Sequence, residues 1–308
     1  MSLNKPIYKM RDWVYKNIHK IDWNFLSSNE NAIQILEKNY EKINWTKLSL
    51  NINAIEILEK NYEKIDWYLL SGNSNAIELL KNNYDKINWN YLSHNPNAYE
   101  ILEKNYEKIN WSLLSLNNDD RIVKLLIENE DKIDWVNFTF NSNPIAINFI
   151  ENNLDKIDWD FLSCNPNAIQ LLNKNKNKID WFYLSQNPNA YSILIQNQDK
   201  IDWTRFSYNK NPEVIKLLEK NLDKIDWIGL SKNPNAISLL EKNQDKIHWF
   251  NLSKNPAIFE LDYEAMRNNE SYLKLEEELI QEVMKPSRVF KDKNNQEGIN
   301  YLRELFGD

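Results

Sequence analysis

Glycine is almost missing, with four residues in 308. That excludes glycine-rich phosphate loops and most hairpin-rich β folds. One cysteine, Cys164, leaves neither an internal disulfide framework nor a cysteine-based zinc site. No apolar run approaches the ~18 residues of a membrane span, and residues 1–9 contain no apolar signal segment. Neither a membrane partner nor export by a signal peptide is therefore expected. Basic residues are outnumbered, 38 against 45, for a net charge of −7. This balance disfavours a nucleic-acid backbone or an anionic membrane as the main partner.

Tryptophan, asparagine and isoleucine are in excess, and they are arranged with a period. Trp23, Trp45, Trp67, Trp89 and Trp111 stand 22 residues apart. Trp135 and Trp159 each follow after 24, Trp181 and Trp203 after 22, Trp227 after 24 and Trp249 after 22. These eleven units cover most of the chain, and each parses into two short helices. Ala98, Tyr99, Ile101 and Leu102 set one apolar face at helical spacing. Asn95 and Pro96 suit the start of that helix, and Asn105 suits a left-handed cap at its end. Asp22, Asn44 and Asp66 suit the start of the shorter helix, where Trp and Leu follow at i and i+3. Strands would need period-two alternation and turn glycines, and neither is present.

A unit this small cannot bury its own apolar face, so burial must come from stacking on its neighbours. The expected fold is all-α: an elongated α-solenoid of two-helix, 22–24-residue repeats with helical caps at the N- and C-termini. At ~10 Å per layer, eleven units would extend about 100 Å. Residues 1–21 are expected to form an N-terminal cap half-repeat, in which Trp13, Val14 and Asn17 align with the longer helix only. Residues 22–257 form the eleven-unit array, and 258–308 a C-terminal helical cap with helices near 262–267, 271–284 and 296–306. Pro286 would separate the second of these from the third.

No constellation of catalytic residues, cofactor-binding residues or metal ligands emerges, so an enzyme is not expected. His94 and Cys164 occupy one variable slot of the repeat, His248 replaces a capping Asp, and His19 lies in the N-terminal half-repeat. The Asp–Lys and Glu–Lys pairs before most of the Trp residues are expected to form solvated salt-bridge columns. A Leu or Phe three residues after the Trp of every one of the eleven units assigns the indoles to the core rather than to a stacking surface for bases or sugars.

Partner information lies where the repeat varies. The two residues after each Trp vary freely and are rich in aromatics: Phe25, Tyr68, Tyr91, Phe161, Phe182, Tyr183 and Phe250. Aromatics anchor interfaces, though here they equally suit gap-filling between short helices. A second column, Tyr40, Tyr62, Tyr84 and Tyr106, comes directly after the capping asparagines of the N-terminal half. It reads either as an aromatic stripe or as a seal between layers. The three lengthened units add two residues after the short helix, at 116–121, 140–145 and 208–212, which suits either loops on one edge or, since two are adjacent, a local change in curvature.

The repeat K-I-D-W-x-x-L-S-x-N-P-N-A-I-x-L-L-E-K-N resembles the tandem repeats of uncharacterised proteins from giant viruses of the mimivirus type. The stretch from Ile258 to Tyr263, and that from Glu278 to Arg288, look like the ends of those proteins, with Lys285 where a histidine is common. The resemblance implies a viral origin and a helical repeat, and it carries no activity. The expected function is a non-enzymatic protein–protein interaction scaffold. The chain is expected to be monomeric, without cofactor, and placed in the infected-host cytoplasm or the virion. A virion structural component is an alternative, and a repeat-type nucleic-acid binder a weaker one.

Overall fold

A computed structural model of the chain describes residues 6–268. The helices expected at 271–284 and 296–306, and the break at Pro286, lie outside the described residues. The described residues fall into two units: 10–259, which carry the array, and 6–9 with 260–268.

The array is an all-α repeat solenoid, and most units hold three small elements rather than two. In one unit these are the short helix Trp45–Leu48, the longer helix Ile55–Glu59 and a 3-10 turn, Tyr62–Lys64. Helices this short are unstable alone, so their stability comes from packing. Leu48, Ala54 and Leu58 are fully buried, and their equivalents repeat along the array.

The polar core is as regular as the apolar one. Ser49 is fully buried. Its hydroxyl donates to the Trp45 carbonyl (3.0 Å) and accepts the Asp66 N–H (3.0 Å), closing a unit against the start of the next. Asn73 is also buried. Its amide donates to the Ser49 and Asn51 carbonyls of the preceding unit (3.0 and 3.1 Å), and its Oδ1 accepts the Asn75 N–H. The same bonding recurs from Asn29 to Asn255. The buried asparagine, expected as a helix cap, does accept the N–H two residues on, as the N-cap at Asn233 and Asn255, and it is also the rung that joins each layer to the one before. Burying an amide is tolerable because its donors and acceptor are all used.

Local caps are partly as expected. Asp22 accepts the Asn24 and Phe25 N–H groups, and Asn44 accepts that of Lys47. The asparagine ending the longer helix is not left-handed: Asn61 sits at φ −134°, ψ 48°. Its side chain donates to the Ile57 carbonyl (2.8 Å), satisfying a free helix-end acceptor by another route. The lengthened units make longer helices rather than loops. Asp120–Glu128, Pro144–Glu151 and Pro212–Glu219 gain about a turn and are capped by Asp119, Asn143 and Asn211.

The structure departs from expectation at the ends of the array, which are not free. Within residues 10–259 the first and last units bond as neighbours do. Asn29 donates to the carbonyls of Ser253 and Asn255 (3.2 and 3.0 Å), and Asn31 donates to that of Pro256 (3.2 Å). The eleventh unit has its own short helix, Trp249–Leu252, but its chain leaves the repeat at Phe259. Its longer helix and 3-10 turn come from the other end of the sequence, Asp12–Tyr15 and Ile18–Lys20. Val14 is fully buried in the usual leucine position, and Asn17 donates to the Trp13 carbonyl as Asn61 does to Ile57. The N-terminal half-repeat therefore completes the last unit, and the array is a closed circuit.

A short strand pair, Tyr8–Met10 with Phe259–Leu261, was not legible from pattern, since three residues show no period. Asp262 donates its N–H to the Ile7 carbonyl (2.8 Å). The helix expected near 262–267 is present as Tyr263–Arg267, with Asp262 as its cap.

Candidate interaction surface

The short helix decides which side chains leave the core. Its Leu or Phe is fully buried, but its Trp is only half-buried. This corrects the assignment of the indoles to the core. In most units the lysine 19 or 21 residues on lies over the ring: Lys42 over Trp23, Lys64 over Trp45 and Lys200 over Trp181, at 4.4–4.5 Å from the centroid. Lys20 stands over Trp249 at 5.0 Å, repeating the relation across the closure. Most lysines expected in salt-bridge columns are thus cation–π partners, each contact worth about 0.5–1 kcal/mol when exposed.

The two residues after each Trp lie on the surface side and meet their counterparts in adjacent units. Phe25 and Phe250 pack edge-on at 4.1 Å across the closure, and Tyr68 and Tyr91 pack with tilted rings at 4.4 Å. Phe161 meets Tyr183 at 5.5 Å, and Tyr183 meets Phe182 of its own helix at 5.2 Å. Phe25, Tyr91, Phe161 and Tyr183 are half-buried, whereas Tyr68, Phe182 and Phe250 are exposed. The seam is therefore both a gap filler and an apolar surface. Arg205 covers the Phe182 ring at 4.2 Å.

Three residues of this surface escaped the sequence reading. Val136 and Ile228 occupy the first slot after Trp and are exposed, but they are not aromatic. Phe140 sits in the variable slot and packs on Phe161 at 4.6 Å. Slot position, rather than residue type, was the signal that would have found them.

The tyrosine column is separately engaged. Tyr40, Tyr62, Tyr84 and Tyr106 each pack edge-on against the Trp five residues later, at 5.1–5.6 Å. The hydroxyls of Tyr40, Tyr62 and Tyr106 donate to Asn61, Asn83 and Asn129 of the following unit. All four rings remain partly exposed.

Beside the closure lies a shallow cavity of about 180 Å³, lined by Ser28, Asn29, Glu30, Leu50, Ile52, Lys254 and Pro256. Lys254 stands 3.6 Å from the Phe25 ring centroid. Burial, then the charges of Lys232 and Lys47, hold its ammonium below the usual lysine range.

The histidines do not converge. His19 is in the half-repeat's 3-10 turn, His94 ends a short helix, and His248 stands at an N-cap without making a capping bond. Among the described residues no group of three or more His, Cys, Asp or Glu side chains is placed to hold a metal ion. Among them also, no helix is long and apolar enough to cross a membrane. Comparison with protein families, with curated proteins and with solved structures finds no match.

Proposed function

We propose that the closed array is a non-enzymatic scaffold that binds a protein partner along the short-helix seam. The observation that carries this reading is the row of exposed apolar side chains, Tyr68, Val136, Phe140, Phe182, Ile228 and Phe250, on repeats whose backbone is held by buried Ser and Asn bonds. Rigid presentation lowers the ordering cost of binding, and exposed aromatics supply the anchors. A giant-virus origin, with residence in the infected-host cytoplasm or the virion, rests on the resemblance of the repeat. The closure supports a monomer, because the first and last layers cover one another and leave no free repeat face for head-to-tail stacking.

The test is co-purification of tagged protein from infected cells, compared with the triple variant Tyr68→Ser, Phe182→Ser, Phe250→Ser. These positions are exposed, so the variant should keep the wild-type circular dichroism and lose its partner. Retention of the same partner by the folded variant sinks the proposal. Proteomics of purified particles separates a virion component from a host-cell scaffold.

A further inference from the structure

Four units carry both a tyrosine and a tryptophan in the same arrangement, and their comparison isolates one of them. Tyr40–Trp45, Tyr62–Trp67, Tyr84–Trp89 and Tyr106–Trp111 have ring centroids 5.1–5.6 Å apart and interplanar angles of 63–70°. Each pair forms two walls of an aromatic corner. In three of them the corner holds a lysine ammonium from the next unit. Lys64 lies 4.7 Å from the Tyr40 centroid and 4.4 Å from that of Trp45. Lys108 lies 5.6 and 4.5 Å from Tyr84 and Trp89, and Lys132 lies 4.4 and 4.6 Å from Tyr106 and Trp111.

The equivalent residue for Tyr62–Trp67 is Lys86, and it is turned away, 3.5 Å from the Asp85 carboxylate. Among the described residues no cation stands over Trp67. The acid beside Lys86 does not by itself explain this, because Asp131 stands beside Lys132 in the same way. Among the same residues Trp159 and Trp227 also have no lysine over them, but Leu154 and Leu222 occupy the tyrosine position there, so neither has a second ring.

We propose that the Tyr62–Trp67 corner is a binding site for an alkylammonium group from outside the chain. The three filled corners are the evidence for the ligand class: the same two rings at the same angle already take a lysine ammonium. The negative ring faces attract a cation without requiring a counter-charge. The site adjoins the seam, since Trp67 and Tyr68 share one short helix, but it uses neither Tyr68 nor the scaffold reading.

The test is a titration of the ¹⁵N-labelled full chain, following the tryptophan indole N–H signals by NMR. The Trp67 signal is assigned through Trp67→Phe. Nα-acetyl-lysine methylamide represents a protein lysine, tetramethylammonium represents a free quaternary cation, and sodium chloride at equal concentration controls for ionic strength. The Trp67 indole should shift saturably with at least one probe while those of Trp45, Trp89 and Trp111 stay in place. The tighter probe identifies the source. Tyr62→Leu, which copies the chain's own Leu154 and Leu222 units, should abolish the shift. Equal shifts at all four indoles, or no saturable shift at Trp67, overturns the proposal. Binding seen only in Lys86→Gln also overturns it, because Lys86 then fills the corner itself.

Discussion

The backbone N–H of Asp22 donates to the hydroxyl of Ser253, 2.9 Å away and 231 residues distant in sequence. The same bond joins Asn44 to Ser27 and Asp66 to Ser49, at a separation of 17. One chain-local contact thus recurs between the two ends of the array, and it marks the closure.

Closure changes what damage at one end does. Trp13 is buried and meets Trp249 edge-on at 6.3 Å. Trp13→Ala should cost roughly 3–5 kcal/mol, the range for a buried aromatic. Amide exchange should rise both around residues 12–21 and around 249–258. A rise confined to the N-terminal residues would show that the ends do not depend on one another.

The asparagine rungs should matter more than their polarity suggests. Asn165 donates to the Thr139 and Asn141 carbonyls, both at 2.9 Å, inside the core. Asn165→Ala strands two buried acceptors and should cost about 2–4 kcal/mol. Exposed Asn152→Ala, whose amide bonds only within its own helix, should cost well under about 1 kcal/mol. Chemical denaturation of the two variants measures the difference, and equal losses would refute the rung role.

Gly229 is required by a neighbour rather than by its own backbone. The Tyr208 ring lies where a Cβ on Gly229 would stand. Gly229→Ala should destabilise by about 1–3 kcal/mol through overpacking. Adding Tyr208→Ser should recover part of that loss. A double-mutant cycle with no coupling would show that the ring moves aside freely.

Cys164 is half-buried and donates its thiol to the Phe161 carbonyl at 3.1 Å. Burial pushes its pKa above the ordinary thiol range. Alkylation by iodoacetamide near neutral pH should be slower in the folded protein than after denaturation. A folded-state pKa above the unfolded one favours folding below about pH 8.5 and loses that contribution as pH rises through the folded value. Wild type should therefore lose more melting temperature than Cys164→Ser between about pH 8 and 10. Parallel melting curves would remove the thiol from the account.

The sequence alone determined the repeat, its helical character and the identity of the buried Leu and Ala positions. Those features follow from local period and from residues within one unit, such as Leu48 and Ala54. It also located the variable slots, though aromatic type drew attention to Phe182 and passed over Val136. The half-buried indoles, the lysines on their faces and the asparagine rungs were hidden because each depends on the adjacent layer. Asn95 has the same composition whether it caps a helix or bonds back to Ser71 and Asn73. Closure was hidden for a further reason. A repeat states how one unit packs on the next, but whether the last meets the first depends on a small rotation per layer, summed around the circuit. Only the tertiary structure carries that sum, and it places the half-repeat at Trp13 and Val14 where the eleventh unit lacks a helix.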